Sequence, residues 1–139
     1  MVLACFVAVT TGRIVLVGTG KTAVGRALAA RLGWAFWDND AALHRLTGRS
    51  PAALLASSGT SGLHAAEAGV LIAALAAPLP VVIAAPESAS SLAGECVVRL
   101  RSGAEPAPGL AATAVVDVAD RPVSAIVDEI VAVTAPTSG

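Results

Sequence analysis

The chain has 139 residues, 55% of them hydrophobic and 14% charged, with a formal net charge of −1. That is the length of one ordinary domain, and the composition excludes a disordered chain. No basic run is present, which excludes the electrostatic footprint of a nucleic-acid binder. Cys5 and Cys96 fit no metal spacing and no disulfide framework, so a reduced, cytoplasmic setting is expected. Among nine Lys and Arg, Lys21 is the only lysine.

In chain order, residues 1–12 read as an N-terminal extension. Met1 to Thr10 is apolar but lacks a basic start, so a signal peptide is not expected. Val2-Leu3-Ala4-Cys5 suits a lipid-attachment site only superficially, since no signal segment precedes it. Arg13 to Val17 is a short β-branched run ending at glycine, the mark of a buried strand. From Thr22, the spacing of Val24, Ala27, Leu28, Arg31 and Leu32 predicts a helix with Gly33 at its C-cap. Trp34 to Trp37 is a second strand, ended by Asp38-Asn39-Asp40, and Ala41 to Leu46 a short helix stopped by Thr47-Gly48.

Ser50-Pro51 pairs an N-cap with proline at the first helical position. The helix it opens runs to Gly59, and Thr60 or Ser61 caps a longer one reaching about Ala77. The uncharged stretch Ala68 to Pro86 approaches the length of a membrane span, but Pro78 and Pro80 divide it into helix and strand, so no membrane partner is expected. Val81 to Ala84, Cys96 to Leu100 and Ala114 to Val118 complete five strands. Ser102 to Gly109 reads as a loop. Pro122 opens a last helix with Val123, Ile126, Val127, Ile130 and Val131 on one face, and 135–139 form a tail. Alternating strands and helices, with strands apolar on both faces, predict one α/β domain over 13–134. Its architecture is a three-layer sandwich around a mostly parallel five-stranded sheet. Ligands in such sheets bind at the carboxyl ends of the strands. Two polar clusters fall there, the glycine-rich turn after the first strand and the acidic pair after the second.

A strand, a glycine-rich turn and a helix together make an anion site from converging N–H groups and the helix dipole. Gly20-Lys21-Thr22 has the order of a phosphate-binding loop, with lysine for the β- and γ-phosphates and a hydroxyl for Mg²⁺. The full Walker A template places four residues between its first glycine and the Gly-Lys pair. Counting back from Gly20 reaches Val15, and from Gly18 only Thr19 intervenes, so the loop is shortened. The same residues, Gly18-Thr19-Gly20-Lys21-Thr22-Ala23, also satisfy G-x-G-x-x-A, with Asp38 at the end of the next strand, which is a dinucleotide fingerprint. A plain tight turn is the third reading.

The stretch Val24-Gly25-Arg26-Ala27-Leu28 through Leu32-Gly33 to Asp38-Asn39-Asp40 resembles the first βαβ unit of shikimate kinases. So do Leu46-Thr47-Gly48-Arg49-Ser50-Pro51-Ala52, Gly59, Glu67 and the closing segment from Val115-Val116-Asp117-Val118 through Asp120-Arg121-Pro122 to Ile130. Gluconate kinases are similar between Gly18 and Ser50. The resemblance implies a P-loop NTPase-like fold and ATP-dependent phosphorylation of a small-molecule hydroxyl with Mg²⁺. It implies that Gly18, Thr19, Gly20, Lys21, Thr22 and Ala23 hold the nucleotide, and that Thr22 and Asp38 hold Mg²⁺. Lys21 and Asp40 would be catalytic, Asp40 by orienting or deprotonating the acceptor hydroxyl. The plain reading of the two aspartates is a solvated turn capping the next helix.

The chain departs from that pattern in several places. His64 stands where the family's F-R-x-x-E motif has an arginine for the substrate carboxylate, and it cannot form the same bidentate fork. Its plain reading is a surface helix residue. Ala84-Ala85-Pro86-Glu87 replaces a glycine-rich substrate turn. Only Ser102 to Thr113 links the last two strands, where the family carries a lid. Arg99 and Arg101 are the arginines nearest to it, and both read plainly as strand-end charges. The expectation is therefore a shikimate kinase-like phosphotransferase of reduced or lost activity. The alternatives are a non-catalytic degenerate kinase-like binding protein and a small dinucleotide-binding domain. A monomer or weak homodimer is expected.

Overall fold

The computed structural model describes residues 12–86, 88–89, 92, 95–103 and 112–134. The expected extension up to residue 11, the tail 135–139, Cys5, Glu87 and most of the 102–113 connection lie outside the described residues.

The elements run β1 (Arg13–Gly18), α1 (Lys21–Leu32), β2 (Ala35–Asp38), α2 (Asn39–Thr47), α3 (Pro51–Leu75), β3 (Val81–Ala84), β4 (Val97–Arg101), β5 (Ala114–Asp117) and α4 (Val123–Thr134). The five strands form one sheet in the order β2-β3-β1-β4-β5. Every neighbouring pair is parallel. The expected mostly parallel five-stranded α/β architecture is the observed one.

The strand apolar runs explain the layering. Ile14 and Leu16 enter one core with Leu28 of α1 and Ile126, Val127 and Ile130 of α4. Val15 and Val17 face the opposite way, into a core with Leu71 and Ala74 of α3. Alternation along β1 thus serves two cores, which is why its burial is continuous rather than every second residue. A third cluster, Ala42, Leu43, Leu54 and Val70, joins α2 to α3. Each Val, Leu or Ile side chain among these contributes about 1.5–3 kcal/mol when removed from water.

Local signals set most element ends. Gly33 and Gly48 close α1 and α2 in the left-handed conformation, with φ of 71° and 73°. Ser50 caps α3, its hydroxyl accepting from the Ala53 N–H at 3.1 Å. At Gly59 the helix breaks, with φ 70° and ψ −178°, a combination open essentially to glycine. This is the expected division of that region into a short and a longer helix.

Three expectations shift. The second helix begins at Asn39 rather than Ala41, because the Asp38 side chain caps it by accepting from the Asp40 N–H. Arg99 is not a strand-end charge: it is buried within β4, opposite Val17 and Val115. Cys96, buried ahead of β4, is disulfide-bonded. Cysteine spacing in the sequence carries no information on which segments meet in space. Among the described residues no helix is long and apolar enough to cross a membrane.

Candidate functional site

The chain leaves β1 toward β2 on one side of the sheet, and leaves β3 toward β4 on the other. A crevice therefore opens at the carboxyl ends of β1 and β3, where open α/β sheets bind ligands. The glycine-rich turn lies at its edge.

Gly18 is required by contact. The parallel register sets it opposite Leu100, and a Cβ there would land on the Leu100 carbonyl oxygen. Its φ of 101° also excludes most side chains. The Thr19 N–H donates to that same carbonyl at 2.9 Å. The short turn is thus pinned to β4, and one of its N–H groups is already used.

Gly20 is the N-cap of α1, left-handed at φ 73°, and brings no capping side chain; no acidic residue lies in the first turn. The first helical hydrogen bond runs from the Val24 N–H to the Gly20 carbonyl at 3.1 Å. The N–H groups of Lys21, Thr22 and Ala23 precede it and have no carbonyl behind them in the helix. With the helix dipole they form an anion-attracting end. Lys21 is half-buried, and among the described residues it enters no ion pair.

The fold brings Thr22 to Asp38. The Thr22 hydroxyl donates to Asp38 Oδ2 at 3.1 Å, while Asp38 Oδ1 accepts from the Asp40 N–H at 3.0 Å. Gly25 lets α1 approach β2 closely enough for this, since a Cβ there would strike the Phe36 ring. Thr22 and Asp38 are half-buried and Asp40 is exposed on the first turn of α2.

The aspartate pair has a buried support. Asn39 is fully buried between Asp38 and Asp40. Its Nδ2 donates to the Glu67 carbonyl at 3.3 Å, and its Oδ1 accepts from Trp37 Nε1 at 3.4 Å. The Glu67 carboxylate, 8% exposed, accepts from the Ser88 hydroxyl at 2.8 Å. Asn39 and Ser88 were not legible as site residues, because only the tertiary contacts reveal their burial. His64 is exposed on α3.

A family model described as shikimate kinase matches residues 17–94. That is more than half of the chain and contains the turn, both aspartates and Glu67. The chain belongs to the shikimate kinase family.

The shikimate kinase of Mycobacterium leprae is 38% identical over 98 residues, covering 66% of this chain and 49% of that protein. Shikimate kinase 2 of Sodalis glossinidius is 48% identical over 54 residues, covering 39% and 31%. The chain therefore spans half or less of the length of these shikimate kinases. In three dimensions it resembles a shikimate kinase from Acinetobacter baumannii solved in complex with shikimate. The TM-score is 0.76 at 20% identity, covering 89% of this chain and 93% of that one. A gluconokinase from Sinorhizobium meliloti 1021 matches with TM-score 0.62 at 24% identity, covering 90% and 92%. These likenesses establish the fold shared with shikimate kinases.

Whether the residues suit the family's Mg-nucleotide turns on the Thr22–Asp38 pair. Mg²⁺ takes hard oxygen ligands and is usually held by one or two carboxylates, with substrate phosphates and water completing its shell. A hydroxyl and a carboxylate already in contact match that donor set, beside an uncapped helix N-terminus and a lysine without an ionic partner among the described residues. Among the described residues no group of three or more His, Cys, Asp or Glu forms an all-protein cage, and Mg-nucleotide sites do not need one.

Proposed function

We propose that this chain binds Mg-ATP at the β1–α1 turn and is an ATP-dependent phosphotransferase of reduced activity acting on a small-molecule hydroxyl. The observation that carries the reading is the 3.1 Å contact from the Thr22 hydroxyl to Asp38, beside the uncapped first turn of α1.

In this reading Gly18, Thr19, Gly20, Lys21, Thr22 and Ala23 form the nucleotide cradle. Lys21 neutralises the β- and γ-phosphates, and Thr22 and Asp38 hold Mg²⁺. The bound ion offsets charge on the phosphate oxygens. Asp40 orients the acceptor hydroxyl and takes its proton as that oxygen bonds to the γ-phosphorus. The bond from the γ-phosphorus to the β–γ bridging oxygen breaks, and ADP leaves. Such transfers rest mainly on positioning and charge neutralisation.

Reduced activity follows from the donors the site lacks. The Thr19 N–H is spent on Leu100. His64 offers no bidentate fork for a carboxylate, so the acceptor is a hydroxyl compound held without that clamp. Loss of one electrostatic donor typically lowers turnover by about a hundred- to a thousand-fold.

The test is a thermal melt with and without Mg-ATP, with NAD as comparator, on the wild type and Lys21→Ala. At 100 times its Kd, Mg-ATP stabilises by about 2.7 kcal/mol, a shift of several degrees. The shift is expected in the wild type, absent with NAD and absent in Lys21→Ala. No shift with Mg-ATP would overturn the reading. A shift without measurable phosphoryl transfer to any hydroxyl acceptor would leave a nucleotide-binding protein and remove the enzymatic half of it.

A further inference from the structure

Among the described residues β2 is an edge strand, paired with β3 on one side only. The Ala35 N–H donates to the Pro80 carbonyl at 3.1 Å, which turns Ala35 and Trp37 toward β3. Alternation in a parallel ladder then directs the N–H and C=O of Phe36 away from the sheet. An open strand edge of this kind is a template for a further strand.

The edge is flanked by two arginines whose guanidinium interactions, among the described residues, are with aromatic rings alone. The Arg26 guanidinium lies over the Phe36 ring, 5.8 Å from its centroid, and that of Arg45 over Trp37 at 5.7 Å. Phe36 packs toward the core beneath α1 and α4, whereas Trp37 packs toward the cores beside α3. The two guanidiniums therefore sit on opposite faces of one edge. Arg13, Arg31 and Arg121 are ion-paired. Arg26 and Arg45 are exposed and enter no ion pair among the described residues. Between them lies a cleft of about 230 Å³ lined by Arg26, Phe36, Trp37, Asp38, Ala41 and Arg45.

We propose that this edge docks an extended acidic segment of a partner protein by strand addition. Main-chain bonds to Phe36 would supply attachment, and adjacent acidic side chains, pointing to opposite faces of the added strand, would meet Arg26 and Arg45. Charge and backbone chemistry select this occupant. A second copy pairing through the same edge would bring four guanidiniums together. A small anion would leave the Phe36 carbonyl without a donor, and would meet the Asp38 carboxylate as well. Strand addition satisfies both backbone groups and draws specificity from the flanking side chains. The proposal does not depend on nucleotide binding.

The experiment is fluorescence anisotropy on the full chain without nucleotide. The probe is a labelled peptide of sequence Thr-Val-Glu-Glu-Val-Thr. The comparators are the Gln-Gln version and a version N-methylated on alternate amides in both registers. Saturable binding is expected for the acidic probe, weakened at least tenfold by either comparator change and by the Arg26→Gln, Arg45→Gln double variant. Both arginines are exposed, so a matching melt will show that variant to be folded. Failure of the acidic probe to bind would overturn the proposal, as would equal binding by the double variant. Equal binding of the N-methylated probes, or displacement by inorganic phosphate at the peptide's own concentration, would overturn strand addition in favour of a simple anion site.

Discussion

The carboxyl ends of β1 and β2 and those of β4 and β5 share one rim of the sheet, yet their polar groups are disposed in opposite ways. At β5 the groups close on one another. Asp117 accepts from the Ala119 N–H at 2.9 Å and the Gly103 N–H at 3.4 Å. Arg121 donates to the Asp117 carbonyl at 2.7 Å, to Glu129 at 2.6 Å and to the Ala125 carbonyl at 3.4 Å. At β1 the helix starts on a glycine without a cap, and the lysine that follows has no ionic partner among the described residues. A protein ordinarily satisfies its helix ends and charges with its own groups, because leaving them unmet is costly. On the reading proposed above, the partner left open at the first turn of α1 is a ligand's to supply. Charged residues at both ends of the rim look alike in the sequence, and only their partners separate stabilising charges from binding ones.

The largest effect that would sharpen this contrast is at Gly18. Gly18→Ala combines a left-handed φ with a collision against backbone, and should cost on the order of 3 kcal/mol. Gly20→Ala meets open space and bears only its positive φ, so about 1 kcal/mol is expected. Chemical denaturation of the two variants measures both, and equal losses would show that the turn is not pinned to β4.

Next come the two residues proposed to hold Mg²⁺. Thr22→Val and Asp38→Asn should each abolish the Mg²⁺-dependent part of the ATP-induced melting shift. Arg121→Ala should lower stability by about 1 kcal/mol through its lost hydrogen bonds while leaving that shift intact. An Arg121 variant that lost the shift would break the division between the two ends of the rim.

The smallest effect concerns Asp117. The Ala119 and Gly103 N–H groups, with Arg101 and Arg121 nearby, hold its carboxyl below its ordinary value of 3.8. A lowered folded-state pKa contributes stability that is present above that ordinary value and is lost as pH falls through the folded value. Asp117 is fully exposed, so solvent screening keeps the contribution small. Asp117→Asn should slightly flatten the acid-side fall of the melting temperature between about pH 5 and about pH 3. An unchanged profile would show that the turn after β5 holds itself without this charge.

Much of this was legible in the chain itself. Helix ends at Gly33, Gly48, Ser50 and Gly59 depend on conformations that particular residues favour within a few positions, so local sequence reveals them. The start of α2 was displaced because Asp38 serves twice, ending a strand and capping a helix. Lys21, Thr22, Asp38 and Asp40 stood out as chemistry-bearing types at strand ends. Arg99 was misplaced because a charged residue inside a buried strand contradicts the usual preference for exposure. Arg26 and Arg45 could not be recognised as neighbours across an edge, since nothing in their spacing says that β2 is last in the sheet.

By itself the sequence determined the alternation of strands and helices, the two-sided burial of β1 and the glycine turn ahead of a lysine, because each follows from residues close together in the chain. The tertiary structure alone decided the strand order, the contact of Thr22 with Asp38, the burial of Asn39 and Glu67, and that Arg26 and Arg45 have no ionic partner among the described residues. Those depend on which distant segments pack together, and a group's partners come from that packing rather than from its place in the chain.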